Sequence, residues 1–127
     1  MVAESGSDRS TILMENLPEE FLLGVALFNE GKFFECHEVW EAVWLKAQGA
    51  EREFLHAMIQ TAAALHHVQR ENLKGARSVG ARAVGKLETM PKIIMQLDTV
   101  RFRASLESFL TKADDSFPRI ELQDDNP

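Results

Sequence analysis

One long stretch, Glu51 to Arg70, constrains the fold more than any other part of the chain. Phe54, Leu55, Met58, Ile59, Ala62 and Leu65 recur along it at the spacing of one helix face, with neither glycine nor proline to interrupt them. A helix of this length with a continuous apolar stripe must bury that stripe against other elements. The flanking sequence supplies them in the same period. Phe33, Cys36, Val39, Trp40, Val43 and Trp44 fill one arc of a helix from Phe33 to about Ala47, and Gln48-Gly49-Ala50 breaks the chain between the two. Upstream, Asn16-Leu17-Pro18 with Glu19 and Glu20 reads as a helix start, because proline loses no needed hydrogen bond there and acids suit the positive end of the helix dipole. That helix runs to about Glu30, where Gly31 supplies a left-handed stop. Asn72 caps a fourth helix that Pro91 ends near Met90, and Asp98 or Thr99 caps a fifth through about Lys112. Nothing alternates convincingly as a strand. The expected fold is all-α: a single domain, a compact bundle of about five helices.

The ends differ in composition from this middle. Residues 1–16 are rich in Ser, Gly, Asp and Glu and are expected as a disordered tail, since little burial offsets the entropy of ordering them. Residues 17–113 form the expected bundle domain. The remainder, 114–127, is an acidic tail that Phe117, Pro118 and Ile120 partly dock. With 127 residues the chain can build a core without a disulfide or structural metal. Its lone Cys36 has no intramolecular partner and lies on the apolar arc, which makes it a small core hydrophobe. The first sixteen residues hold no apolar run that would serve as a secretory signal, and no stretch reaches the roughly 18 apolar residues of a membrane helix. A cytoplasmic location is expected, with no membrane partner. Fourteen basic residues against twenty acidic ones give a net charge of −6, which argues against nucleic acid as a partner. The fourth helix is the basic exception, with Arg70, Lys74, Arg77, Arg82 and Lys86 spread around much of its circumference. It also repeats Gly75-Ala-Arg-Ser-Val as Gly80-Ala-Arg-Ala-Val, then Gly85; a five-residue period is not a face, so the glycines read as points of close helix approach.

The chemistry concentrates on the second and third helices. His37 sits at the margin of the apolar arc beside Trp44, with Glu41 about 40° further round and Glu38 next. A carboxylate one turn from an imidazole can orient it, raise its pKa or share a metal with it. On the third helix His56, Gln60 and His67 fall within about 40° of one another, opposite the large apolar residues and flanked by Ala57, Ala63 and Ala64, while His66 falls off the stripe. An antiparallel pair joined near Gly49 brings the two groups together as a polar seam. Three readings stay open. The seam is a structural hydrogen-bond network in a non-catalytic protein-interaction module; or it is a small-molecule or catalytic pocket, with His37 or His67 as general acid/base, Glu41 or Glu38 orienting it, and Glu38, Trp44 and Gln60 as ligand-binding residues; or it holds a divalent metal through His37, Glu41 and His67. Glu53-Phe-Leu-His56 has Glu-x-x-His spacing as well, but in a single copy at the exposed start of its helix. Candidate partners are accordingly a small molecule, another protein or a second copy of the chain.

The run Phe28-Asn-Glu-Gly31-Lys-Phe33-Phe34-Glu35-Cys36-His37-Glu38-Val-Trp-Glu41-Ala-Val-Trp44 resembles the signature of domain-of-unknown-function family 309, small helical proteins mostly from bacteria and archaea. Phe54-Leu55, Ile59-Gln60-Thr-Ala62-Ala-Ala-Leu65-His66-His67 and Asn72-Leu-Lys-Gly75-Ala76 resemble its second motif, and Leu97-Asp98 with Phe117-Pro118-Arg119-Ile120 its ending, so the likeness spans about residues 18–122. The resemblance implies an all-helical small fold without an assigned activity, and motif positions at Glu35, His37, Glu38, Glu41, Trp44, Gln60 and His67. The chain departs from the family at Ala57, where glycine is frequent, and at Glu71, where glycine usually precedes Asn72.

Overall fold

The computed structural model describes residues 17–112 and 115–123. Five helices follow one another: α1 (Glu19–Asn29), α2 (Phe33–Lys46), α3 (Gly49–Gln69), α4 (Leu73–Leu87) and α5 (Thr99–Leu110), with a two-stranded hairpin, β1 (Ile93–Ile94) and β2 (Leu97–Asp98), before the last. Among the described residues the fold is all-α, with these five helices, apart from that hairpin. No described helix is long and apolar enough to cross a membrane.

Helix ends are set by local chemistry. α1 closes on Gly31 at φ +79°, with Lys32 N–H donating to Leu27 C=O and Gly31 N–H to Phe28 C=O, the paired bonds of a Schellman motif. α3 ends in the same motif without the glycine. Glu71 occupies the left-handed position at φ 60°, with Asn72 N–H donating to His67 C=O and Glu71 N–H to Val68 C=O. An L-residue there costs roughly 1–2 kcal/mol against glycine, less the entropy that glycine forfeits on folding. The Asn72 side chain then caps α4 by accepting from Gly75 N–H, and Asp98 caps α5 by accepting from Arg101 N–H. α4 stops at Leu87, four residues ahead of Pro91.

Each helix packs antiparallel to the next, and pairs of contacts fix the order. Phe21 and Gly24 meet Trp40 while Phe28 meets Phe33, which folds α1 onto α2. Phe34 meets His66 while Trp44 meets His56, which folds α2 onto α3. Glu53 at the start of α3 pairs with Lys86 near the end of α4. Gly80 abuts Leu110 and Glu88 pairs with Arg103, which sets α5 against α4. The centre is aromatic: fully buried Trp40 stacks between Phe21 and Phe28, and its indole N–H donates to Phe21 C=O at 3.1 Å. Such a packed tryptophan contributes through area and ring geometry together.

The hairpin is the element that periodicity misses. Ile93 pairs with Asp98 and Ile94 with Leu97, and Met95 and Gln96 both adopt positive φ, as a type I′ turn requires. Such turns favour Asn-Gly, and Met-Gln gives no such signal. Of the expected C-terminal tail, residues 115–123 are described: Gln123 N–H donates to Gln96 C=O, Pro118 and Ile120 are buried, and Asn29 bonds both backbone groups of Ile120. Residues 1–16, the expected N-terminal tail, lie outside the described residues, as do 113, 114 and 124–127.

Candidate functional site

The apolar arc of α2 is its core face: Phe33, Cys36, Trp40 and Val43 are buried. His37 and Trp44 sit half-buried at its margin, and Glu38 and Glu41 are exposed. His37 Nε2 lies 3.9 Å from Glu41 Oε2. With one partner half exposed, an i,i+4 pair of this kind contributes only about 0.2–0.5 kcal/mol. The two ring contacts between α2 and α3, Phe34 with His66 at 5.6 Å and Trp44 with His56 at 6.0 Å, set the register of the pair. On that register His37 is level with Ala63, between Gln60 one turn to one side and His67 one turn to the other. The register thus sets the two groups of the expected seam at the same level of facing helices, and the contacts that cross between the helices there are those of Phe34 with His66 and Trp44 with His56. His66 joins the seam through Phe34, although its angular position had set it apart.

Two atoms of the seam are buried without a hydrogen-bond partner: His37 Nδ1 and Gln60 Oε1. They belong to facing helices, one able to donate when protonated and the other an acceptor. Burying such groups unpaired costs about 1–3 kcal/mol each. His67 is committed elsewhere. Its Nδ1 lies 3.2 Å from Asn72 Nδ2, so the imidazole ties the end of α3 to the residue that caps α4.

The indole N–H bonded in the core belongs to Trp40, and Trp44 carries the Arg52 guanidinium over its ring at 4.1 Å. Arg52 also donates to Trp44 C=O at 3.2 Å and Ala47 C=O at 3.4 Å, covering the carbonyl end of α2. Sequence reasoning overlooked Arg52; a cation one turn into a helix that follows a short break was the available signal. Glu53, which resembled a metal ligand with His56, is held by Lys86 at 2.8 Å, and the hydrogen bond and charge of that ammonium keep its carboxyl below the ordinary carboxylate range. Among the described residues no three His, Cys, Asp or Glu side chains come together as a metal-holding group, so His37, Glu41 and His67 do not form the three-ligand set the sequence suggested. Cys36 is buried and desolvation pushes its thiol far above the usual range, which makes it a core residue and a poor nucleophile.

Four clefts among the described residues lie away from the seam, and none is lined by His37, Glu38, Glu41, Trp44, Gln60 or His67. What the α2–α3 junction offers is a face: half-buried imidazoles and Trp44 at the seam, then the exposed strip of α2. Along that strip Phe34, Glu38, Glu41 and Leu45 follow at i, i+4, i+7 and i+11, and Phe34 and Leu45 are 50% and 68% exposed.

The chain is 32% identical over 66 residues to the uncharacterized protein YpuF of Bacillus subtilis (strain 168), a match that covers 51% of this chain and 38% of the relative. The chain thus aligns with well under half the length of that relative. Residues 21–79 match the family model described as Domain of unknown function (DUF309), and this span contains every residue of the seam. Through α1 to the middle of α4, then, the chain is similar to the DUF309 family.

Proposed function

We propose that the chain is a protein-interaction module that receives a basic, amphipathic helix on the exposed strip of α2. The observation that carries this reading is the alignment of Phe34, Glu38, Glu41 and Leu45 on one helix line, two exposed apolar residues bracketing two exposed carboxylates. Single exposed apolar residues are ordinary on a protein surface. Two on one line, with acids between them and an arginine-covered tryptophan beside them, match the anchors and charged contacts by which a helix docks. The carboxylates select lysine and arginine on the partner and disfavour a second α2, which would set glutamate against glutamate. The lone buried Cys36 and the acidic composition suit a cytoplasmic setting.

Binding of two synthetic helical peptides, one of leucine and lysine and one of leucine and glutamate, tests this. The basic peptide binds, binding weakens as salt rises, and Glu38→Lys with Glu41→Lys abolishes it while the melting temperature stays within a few degrees. Equal binding of both peptides, or no effect of the charge reversal, overturns the reading.

A second reading rests on the unpaired His37 Nδ1 and Gln60 Oε1. In it the seam takes a small polar ligand that bonds both groups as the side chains part, with His37 as the acid/base group, Glu41 orienting it, and Glu38, Trp44 and Gln60 as ligand contacts. A thermal-shift screen with polar metabolites tests it. A saturable shift lost in His37→Ala supports it; no shift with any of them sinks it.

A further inference from the structure

The second place where the molecule offers chemistry to the outside is the crossing of α4 and α5. The helices touch most closely where Gly80 abuts Leu110: a Cβ on residue 80 would come within 2.5 Å of Leu110 Cδ1. On either side of this contact the helices part. One side opens a cleft of about 490 Å³ floored by Ala81, Val84, Gly85 and Leu110, and a Cβ added at Gly85 would meet nothing within 4 Å. The other holds a cleft of about 310 Å³ lined by Val68, Leu73, Ala76 and Phe109. Arg77, Leu110 and Lys112 border both. These sizes fall in the range of small-molecule sites, and the floors are apolar, as such sites require.

The charges around the larger cleft are unevenly satisfied. Its two acids, Glu88 and Glu107, both face Arg103, at 3.6 and 3.3 Å. Arg77 and Lys112 form no ion pair among the described residues, although Asp115 also borders the smaller cleft. Lys112 is held at this rim by the backbone: it takes the left-handed position that ends α5, at φ 63°, and its N–H donates to Phe109 C=O. One end of the larger cleft therefore has its charge answered from within the protein, and the other end does not.

We infer that the α4–α5 cleft binds an amphiphilic anion, with its hydrophobic tail over Ala81, Val84, Gly85 and Leu110 and its carboxylate-like head between Arg77 and Lys112. The apolar floor supplies burial for a hydrophobic chain or ring, whose removal from water drives association. The paired cations set the orientation. A neutral analogue keeps the tail contacts and loses the head contacts; a cationic one meets repulsion at the same point.

Titration of the full chain with decanoate, decanol and decyltrimethylammonium, each below its aggregation concentration, tests the site. Decanoate binds saturably at one per chain, decanol at least ten-fold more weakly, and the ammonium not measurably. Gly85→Leu fills the cleft at a position open to solvent and reduces decanoate binding at least ten-fold; Ala81→Trp does the same by a different side chain, so a folding defect in one variant leaves the other decisive. Arg77→Gln with Lys112→Gln brings decanoate down to the level of decanol. Absence of saturable decanoate binding overturns the inference, as does binding that survives both filling substitutions or that ignores head-group charge. Charge reversal at Glu38 and Glu41 leaves decanoate binding intact, which separates this site from the α2 strip.

Discussion

The α1–α3 half and the α4–α5 half of this bundle are held together by different means. In the first, Trp40 is stacked between Phe21 and Phe28, Phe33 meets Phe28 edge-on, and Phe54 reaches Phe21, so ring shape fixes how the helices meet. In the second, backbone comes close to side chain at Gly80, and the helices separate on both sides of that point. Filling a core with large rigid groups leaves a well-packed interior and places any recognition on its outer rim, as on α2. Crossing two helices at a glycine leaves clefts.

Substitutions at the two crossings break the comparison most sharply. Trp40→Ala removes the central ring and the bond to Phe21 C=O and is expected to lower stability by about 3–5 kcal/mol in chemical denaturation. A Cβ at Gly24 would fall on the Trp40 indole, which two phenylalanine rings hold in place; Gly24→Ala is expected to cost about 1–3 kcal/mol. In the other half Gly80→Ala meets only the end of a leucine, so its cost is expected to be the smaller of the two. Gly85→Ala meets nothing and is expected to stabilise by up to about 1 kcal/mol through helix propensity. A ranking in which Gly80→Ala costs more than Gly24→Ala would invert the contrast. Glu71→Gly, at the α3 end that joins the halves, is expected to raise stability by about 0.5–1 kcal/mol, read as a shift in denaturant midpoint at unchanged slope. The smallest effect is expected at Glu53 and Lys86, which tie the halves across α3 and α4. Because Lys86 lowers the folded-state pKa of Glu53, the pair stabilises the fold above the ordinary carboxylate range and the contribution is lost as pH falls through the lowered value. Lys86→Met flattens that acid-side decline and lowers stability only slightly between pH 6 and 8, because the pair is exposed and screened by solvent.

The same division explains what could be read without coordinates. Periodicity found all five helices, the Trp40 side of α2 and the buried face of α3, because large apolar residues announce the direction of the core. Gly31, Asn72 and Asp98 marked their helix ends through backbone chemistry that leaves few alternatives. The hairpin at Met95 and Gln96 escaped because its turn uses residues without a turn preference, held by Ile93, Ile94, Leu97 and the contact from Gln123. At the seam, angular position placed His37 beside Gln60 and His67, but the choice of partner was not legible. Asn72 engages His67 and Lys86 engages Glu53, and both depend on where α4 lies rather than on spacing within α2 or α3. The α4–α5 cleft was invisible for a related reason: the three glycines of α4 look alike in sequence, yet Gly80 is pressed against Leu110, Gly75 against its own cap, and Gly85 faces open space.

Asn29 has a consequence for the order in which the chain can assemble. Its side chain accepts from Ile120 N–H and donates to Ile120 C=O, 91 positions away, while Phe117 rests on Phe33 and Phe109. Neighbouring helices close short loops and can pair early; this clasp must close a loop of 91 positions, at a larger entropic cost. It is therefore expected to form late and to open early. Exchange of the Ile120 amide with solvent, set against that of amides inside α2 and α3, reads this order directly.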